Sequence, residues 1–162
     1  MIIRHGEKPP SGEILSLKGE IRAAALAPYF AETPELLLFG TPVIAYGERP
    51  NTKTPTLRPI ETIIPTIQAL KIPLNTKYTR NQFPEMVHEI LTSPQYNGKN
   101  ILICWEHFMI PNIAHSFGVT PIPSAWPDDV YDRTFIIRFN KDGTVKNFHN
   151  LPQALLFGDS RQ

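Results

Sequence analysis

The chain has a single cysteine, Cys104, so no disulfide can form within it, and the fold must rest on packing and hydrogen bonding. It also lacks a charge excess. Sixteen Lys and Arg against 15 Asp and Glu leave a formal net charge of +1, too little for the broad field that gathers nucleic acid or an anionic membrane surface. Any anion is therefore met by a local cluster. No apolar run approaches the roughly 20 residues of a membrane span. There is no low-complexity tract, Gly-x-Ser-x-Gly elbow, Walker-type glycine loop or dinucleotide fingerprint. Neither a membrane nor a nucleic acid is expected as partner. Nor is there a charged-then-apolar leader, because Met1 runs straight into an apolar stretch; the simplest expectation is a cytoplasmic protein, with a leader removed from a longer chain left open.

What is present fits one domain over residues 1–162, with 41% apolar residues and enough length to bury a core. The 17 prolines are about twice the average share and fall mostly at element boundaries, where a missing amide donor costs least. After an initial short strand, Ser16 can cap a helix with Leu17, Ile21, Ala24 and Ala25 on one face, kinked or ended by Pro28 near Ala27. A strand over 41–46 follows, with 35–39 ambiguous before it. Residues 47–56 read as a loop. Pro59 suits the first turn of a helix with Ile60, Ile63, Ile64 and Ile67 at helical spacing.

A short strand over 75–78 precedes a helix capped by Asn81, with Phe83, Met86, Val87, Ile90 and Leu91 inward. The continuous apolar run 101–105 suits a strand buried on both faces, and a helix over 112–117 stops at Gly118. A strand over 134–139 returns through Asn140-Lys141-Asp142-Gly143 as a hairpin carrying Val145 and Phe148. The order predicts an α/β fold, a three-layer α/β/α sandwich around a mostly parallel, mixed sheet.

Two of these strands end in chemistry. Arg4-His5-Gly6 closes the first, and Glu106-His107 closes the run 101–105; strand ends are where open α/β sheets bind ligands. Arg58 lands at a helix N-terminus, where backbone amides add to its guanidinium as anion donors. Two arginines and two histidines suit a phosphoryl group, which needs its oxygens neutralised and an attacking atom in line. His5 is the expected nucleophile and Gly6 lets the backbone approach the phosphate. Cys104 lacks the arginine six positions on that cysteine-dependent phosphatases need, Ile110 standing there, and reads as a buried thiol. His5, His107 and a carboxylate could converge on zinc, but adjacent arginines disfavour a dication. His88, His115 and His149 carry no assignment, and Trp105 and Trp126 read as core or rim aromatics.

Four ordered signals, Arg4-His5-Gly6, Ser16-x-x-Gly19-x-x-Arg22-Ala23, Arg58-x-x-Glu61-Thr62 and the strand-end His107, resemble the histidine phosphatase superfamily, also called phosphoglycerate mutase-like. The likeness spans residues 2–139. It implies the phosphoglycerate mutase-like fold and a phosphate pocket of Arg4, His5, Arg58 and His107, with no cofactor or metal. The expected reaction is hydrolysis of a phosphomonoester, a small-molecule ester or a phosphoprotein, through phosphohistidine on His5. A mutase is the alternative, disfavoured because Glu7-Lys8-Pro9-Pro10 follows where mutases of the family carry an Asn and because their substrate-enclosing segments are missing. A non-catalytic phosphate-binding or regulatory relative is the other. The general acid does not map: Glu7 or Glu106 is favoured, Glu48 lies at the same edge, Glu85 reads as structural, and water remains an option.

Overall fold

The computed structural model describes residues 1–160. Its strands are β1 (Ile2–Arg4), β2 (Pro42–Gly47), β3 (Leu74–Asn75), β4 (Asn100–Trp105), β5 (Arg133–Phe139) and β6 (Val145–Pro152). Its α-helices are α1 (Leu17–Glu32), α2 (Arg58–Leu70), α3 (Phe83–Thr92) and α4 (Ile110–Ser116). The strands form one sheet in the order β3-β2-β4-β1-β5-β6. Strands β3, β2, β4 and β1 run parallel; β5 is antiparallel to β1, and β6 to β5.

Alternate side chains of a strand point to opposite faces, so a sheet apolar at every position needs two covers. Ile3, Ala45, Leu102, Cys104 and Ile136 pack with Leu26 and Phe30 of α1 and Ile63 of α2. Ile2, Tyr46, Ile103, Trp105 and Phe135 pack with Met86 and Val87 of α3 and Ile110 and Ile113 of α4. The result is an α/β fold with a helical layer on each face of a mixed sheet. No helix among the described residues is long and apolar enough to cross a membrane.

Strands β1 and β4 are neighbours, yet the helix after β1 lies on one face and the helix after β4 on the other. Diverging connections leave a crevice at the carboxyl ends of such a pair. Register pairs Arg4 with Trp105, so the next residues, His5 and Glu106, leave the sheet side by side.

The largest departure from the sequence pattern is α1. Leu17 is 73% exposed and Ile21 51%, while the buried face carries Gly19, Arg22, Ala23, Leu26, Ala27, Tyr29 and Phe30. The buried guanidinium of Arg22 explains the rotation. It donates to both oxygens of Glu7 (3.0 and 2.8 Å) and both of Asp159 (3.0 and 2.7 Å), and this fork pins a face that apolar periodicity alone does not mark. Pro28 does not end the helix, which runs on to Glu32. It sits on the exposed side and removes one solvent-facing bond.

Other boundaries move by a few residues. Residues 35–39 resolve into a 3₁₀ turn (Pro34–Leu36) and an isolated bridge from Leu38 to Gly40. The expected strand over 75–78 is only Leu74–Asn75, and the turn before α3 is capped by Thr79 rather than Asn81, through a reciprocal bond set with Gln82. Helix α4 begins at Ile110, two residues earlier than expected, with Pro111 in its first turn.

Gly19 and Gly6 set the spacing of the β1–α1 connection. Ser16 caps α1 by accepting from the Gly19 amide at 3.2 Å, and its own amide donates to Glu7 O at 2.9 Å. A β-carbon on Gly19 would lie 2.5 Å from Glu7 O, and one on Gly6 would lie 2.9 Å from Gly19 O. Both obstacles are backbone. Gly19→Ala should therefore destabilise the protein by about 1–3 kcal/mol in urea unfolding, as overpacked sites do. Helix propensity alone predicts the opposite sign, so a stabilised variant would refute the contact.

Candidate active site

The crevice between the ends of β1 and β4 collects His5, Glu106 and His107, which are 1%, 5% and 2% exposed. His5 N donates to Trp105 O (3.4 Å) and Glu48 N, at the end of β2, to Cys104 O (3.2 Å), so three strand ends are laced together by backbone. His5 Nδ1 lies 2.7 Å from Gly6 O. A carbonyl only accepts, so Nδ1 carries the proton and the lone pair of the neutral ring sits on Nε2. That nitrogen is 3.6 Å from Glu106 Oε2.

Gly6 N donates to Thr62 Oγ1 (2.8 Å), and that hydroxyl donates to Arg58 O (2.7 Å), which ties the histidine turn to the first turn of α2. Arg58 is half-buried there. Its NH1 group holds Gly12 O at 2.8 Å, its buried Nε has no hydrogen-bond partner, and its charge is close enough to act on Arg4.

Arg4 is almost fully buried and two-sided. Its NH1 group donates to the carbonyls of Pro127 (3.2 Å), Asp128 (2.7 Å) and Val130 (2.9 Å), and its guanidinium carbon stands 3.8 Å from the centroid of the Tyr131 ring. The Nε and NH2 groups are buried without a hydrogen-bond partner; NH2 is 3.5 Å from Asp128 Oδ1. Burial pushes Arg4 below the ordinary arginine value, against the pull of Tyr131, Glu106 and Asp128. It stays a cation at any working pH.

Glu106 is the anion between these groups. One oxygen faces His5 and accepts from Arg80 NH2 at 3.3 Å; the other touches His107 Nδ1. Burial alone would raise its pKa, but His5, His107 and Arg80 together hold it down to about 2. Arg80 also donates through Nε to Glu48 Oε1 (3.0 Å), and Glu48 Oε2 accepts from Glu106 N (3.1 Å). Burial pushes Glu48 up in spite of Arg80. Burial, then Arg4, pushes His107 below the usual histidine value; its Nε2 is 3.2 Å from Asp128 Oδ1.

The structure thus brings Arg4, His5, Gly6, Glu106 and His107 together, with Arg58 joined through Thr62. Glu7 is turned elsewhere. It forms the fork with Arg22 and an ion pair with Lys18 at 3.5 Å, and these cations outweigh burial to keep it ionised. Neither carboxyl favoured as general acid is held protonated: Glu7 braces α1, and Glu106 is clamped by three cationic or polar rings and forks. Glu85 is exposed on α3. Trp105 and Trp126 are core aromatics, donating to Arg80 O (3.2 Å) and Val130 O (2.8 Å).

Sequence reasoning missed Arg80, Tyr131, Asp128 and the Arg22 fork. Asp128 and Tyr131 lie in the loop 120–132, which has no periodicity to mark them. A separate apolar cavity of about 570 Å³ opens at the other end of the sheet, around Leu36, Phe39, Tyr96 and Phe139, away from these groups. No protein-family model matches the chain, and no curated protein matches it significantly.

A depressed carboxylate adds stability above its unfolded-state pKa and loses it as pH falls through the folded value. The Glu106 contribution is accordingly full near neutrality and fades between about pH 4.5 and 2. In urea unfolding, the stability gap between wild type and Glu106→Gln should be widest above pH 5 and close towards pH 2. Parallel curves would show that the clamp is not formed.

Proposed function

We propose that the protein is a phosphomonoesterase of the histidine phosphatase type, with that superfamily's phosphoglycerate mutase-like fold, acting on a small-molecule phosphate ester or a phosphoprotein in the cytoplasm. The observation that carries this reading is the gathering at one crevice of a buried imidazole, with its Nδ1 proton given to Gly6 O, a buried Arg4 whose Nε and NH2 make no hydrogen bond, and His107, the two rings sharing Glu106 and Arg4 and His107 sharing Asp128. Nε2 of His5 attacks phosphorus, and the P–O bond to the leaving group breaks opposite it. Arg4, Arg58 and His107 neutralise the non-bridging oxygens. Water then attacks the phosphohistidine, the P–N bond breaks, and phosphate departs.

Glu106 has a distinct part. It cannot donate a proton when held near pKa 2, but it holds the His107 ring through Nδ1 and, 3.6 Å from Nε2 of His5, balances the positive charge that grows on that ring as the P–N bond forms. No metal is called for by this set of groups. A transfer of the phosphoryl group to a second hydroxyl would use the same residues, and the extent of transfer to added alcohol separates mutase-like behaviour from hydrolysis.

Hydrolysis of an aryl phosphate between pH 4 and 8 should be indifferent to chelator, and His5→Ala should lower kcat/KM by at least about 10³-fold. Label from a radioactive ester should stay on the wild-type chain after an alkaline quench and be missing from His5→Ala. Chelator-sensitive turnover, or phosphate binding without turnover, would overturn the reading in favour of a metal site or a non-catalytic relative.

A further inference from the structure

We propose that Asp128 is the general acid of this site, protonating the oxygen of the leaving group; the assignment rests on the phosphatase reading above. A nucleophile on the crevice floor requires the leaving group to point the other way, out to solvent. His5 is that floor, and Asp128 is the rim: its side chain is 68% exposed, and Oδ1 stands 3.2 Å from His107 Nε2, 3.5 Å from Arg4 NH2 and 3.4 Å from Lys8 Nζ. The other buried acidic side chains near the strand ends are each committed, Glu7 to Arg22, Glu48 to Arg80, Glu106 to two histidines and Arg80, and Asp132 to the Ser160 amide.

The backbone of the residue is held while its carboxylate stands exposed at the rim. The carbonyls of residues 127, 128 and 130 all accept from Arg4 NH1, so the same guanidinium whose other edge faces the site sets the distance of the acid from it. In the free protein the groups facing the carboxylate are Lys8, His107 and Arg4, and Lys8 foremost keeps it ionised. A phosphate dianion changes this balance. Its oxygens take the donors of Arg4 and His107, and a carboxylate within reach of the same donors becomes a like charge at short range, which favours uptake of a proton. Substrate binding itself thus produces the acid.

The step balances. As the P–Nε2 bond forms and the P–O bond breaks, the Asp128 O–H bond breaks and the proton passes to the leaving oxygen, giving a neutral alcohol. In the second half the Asp128 carboxylate takes a proton from the attacking water as the P–N bond breaks, and the site is restored.

The test compares Asp128→Asn with wild type in single-turnover phosphorylation of His5 by two probes, p-nitrophenyl phosphate, whose phenolate leaves without a proton, and an alkyl phosphate, whose alkoxide does not. The expected result is a fall at least about 100-fold larger for the alkyl ester, the range general acids contribute. The acid-favoured limb of the alkyl pH profile should vanish with it. Equal loss on both esters would make Asp128 a binding or structural group, and faster reaction with both would make its carboxylate only a competitor for the anion seat; either overturns the assignment. A wild-type protein inert to both esters, by contrast, is failure of the phosphatase reading itself and removes the assignment with it. Unchanged urea midpoints confirm that the variant is folded.

Discussion

Everything at the crevice is arranged around the Glu106 carboxylate. It is nearly buried, and a buried anion persists only where cations and donors replace the water it has lost. His5, His107 and Arg80 do so, from β1, from the turn after β4 and from the turn before α3. The two rings face opposite oxygens of one carboxylate, so a single anion couples the end of β1 to the turn after β4. Removing the carboxylate would leave Arg80 and both imidazoles crowded among the charges of Arg4 and Arg58, so the group is structural and electrostatic at once. Glu48 extends the set by accepting from both Arg80 and the Glu106 amide, which carries the alternation of charge one strand further.

Arg4 plays the equivalent part on the outer side. A guanidinium has a fork on each edge, and here one edge holds the loop 127–130 through three carbonyls while the other is left facing the site. The Tyr131 ring covers its face. A lysine could not replace it, since a point charge offers neither the second edge nor the flat face. The position of the loop and the buried positive charge at the site are for this reason properties of a single side chain at the end of β1.

The legible part of this was what depends on strand ends and on local chemistry. Arg4-His5-Gly6 and Glu106-His107 announce themselves because apolar runs stop at charged residues, and the Arg58-Pro59 start of α2 is an N-terminal signal in its own right. The Ser16 cap and the hairpin after Asn140 likewise follow from nearby residues. What stayed hidden depends on partners far along the chain. The buried face of α1 turns on Arg22, whose anchors are at 7 and 159, and a window that counts apolar spacing ranks Leu17 and Ile21 above it. Arg80 is invisible for the same reason: its carboxylates, at 48 and 106, come from two other strands. The surroundings of the candidate acids were hidden for the same reason, since Glu7 and Glu106 look free in sequence and are tied in space.

A fold that wanted only stability would not be built this way. Buried ion clusters are often no more stabilising than apolar groups of the same volume, and unpartnered buried donors are destabilising. Yet the buried nitrogens Arg4 Nε and NH2, Arg58 Nε and His107 Nε2 have no hydrogen bond and belong to the strand-end crevice or to the helix start beside it, whereas the other unpaired buried side-chain atoms outside it are single oxygens, of Thr54, Thr66 and Asn147. Elsewhere the sheet is closed by aliphatic and aromatic packing on both faces. A tetrahedral dianion is the simplest group that would answer several of those donors simultaneously, because each of its oxygens accepts more than one hydrogen bond. The unanswered nitrogens, unlike those scattered oxygens, are gathered at one strand-end crevice, the kind of place where a fold departs from its own packing rules for the sake of a site.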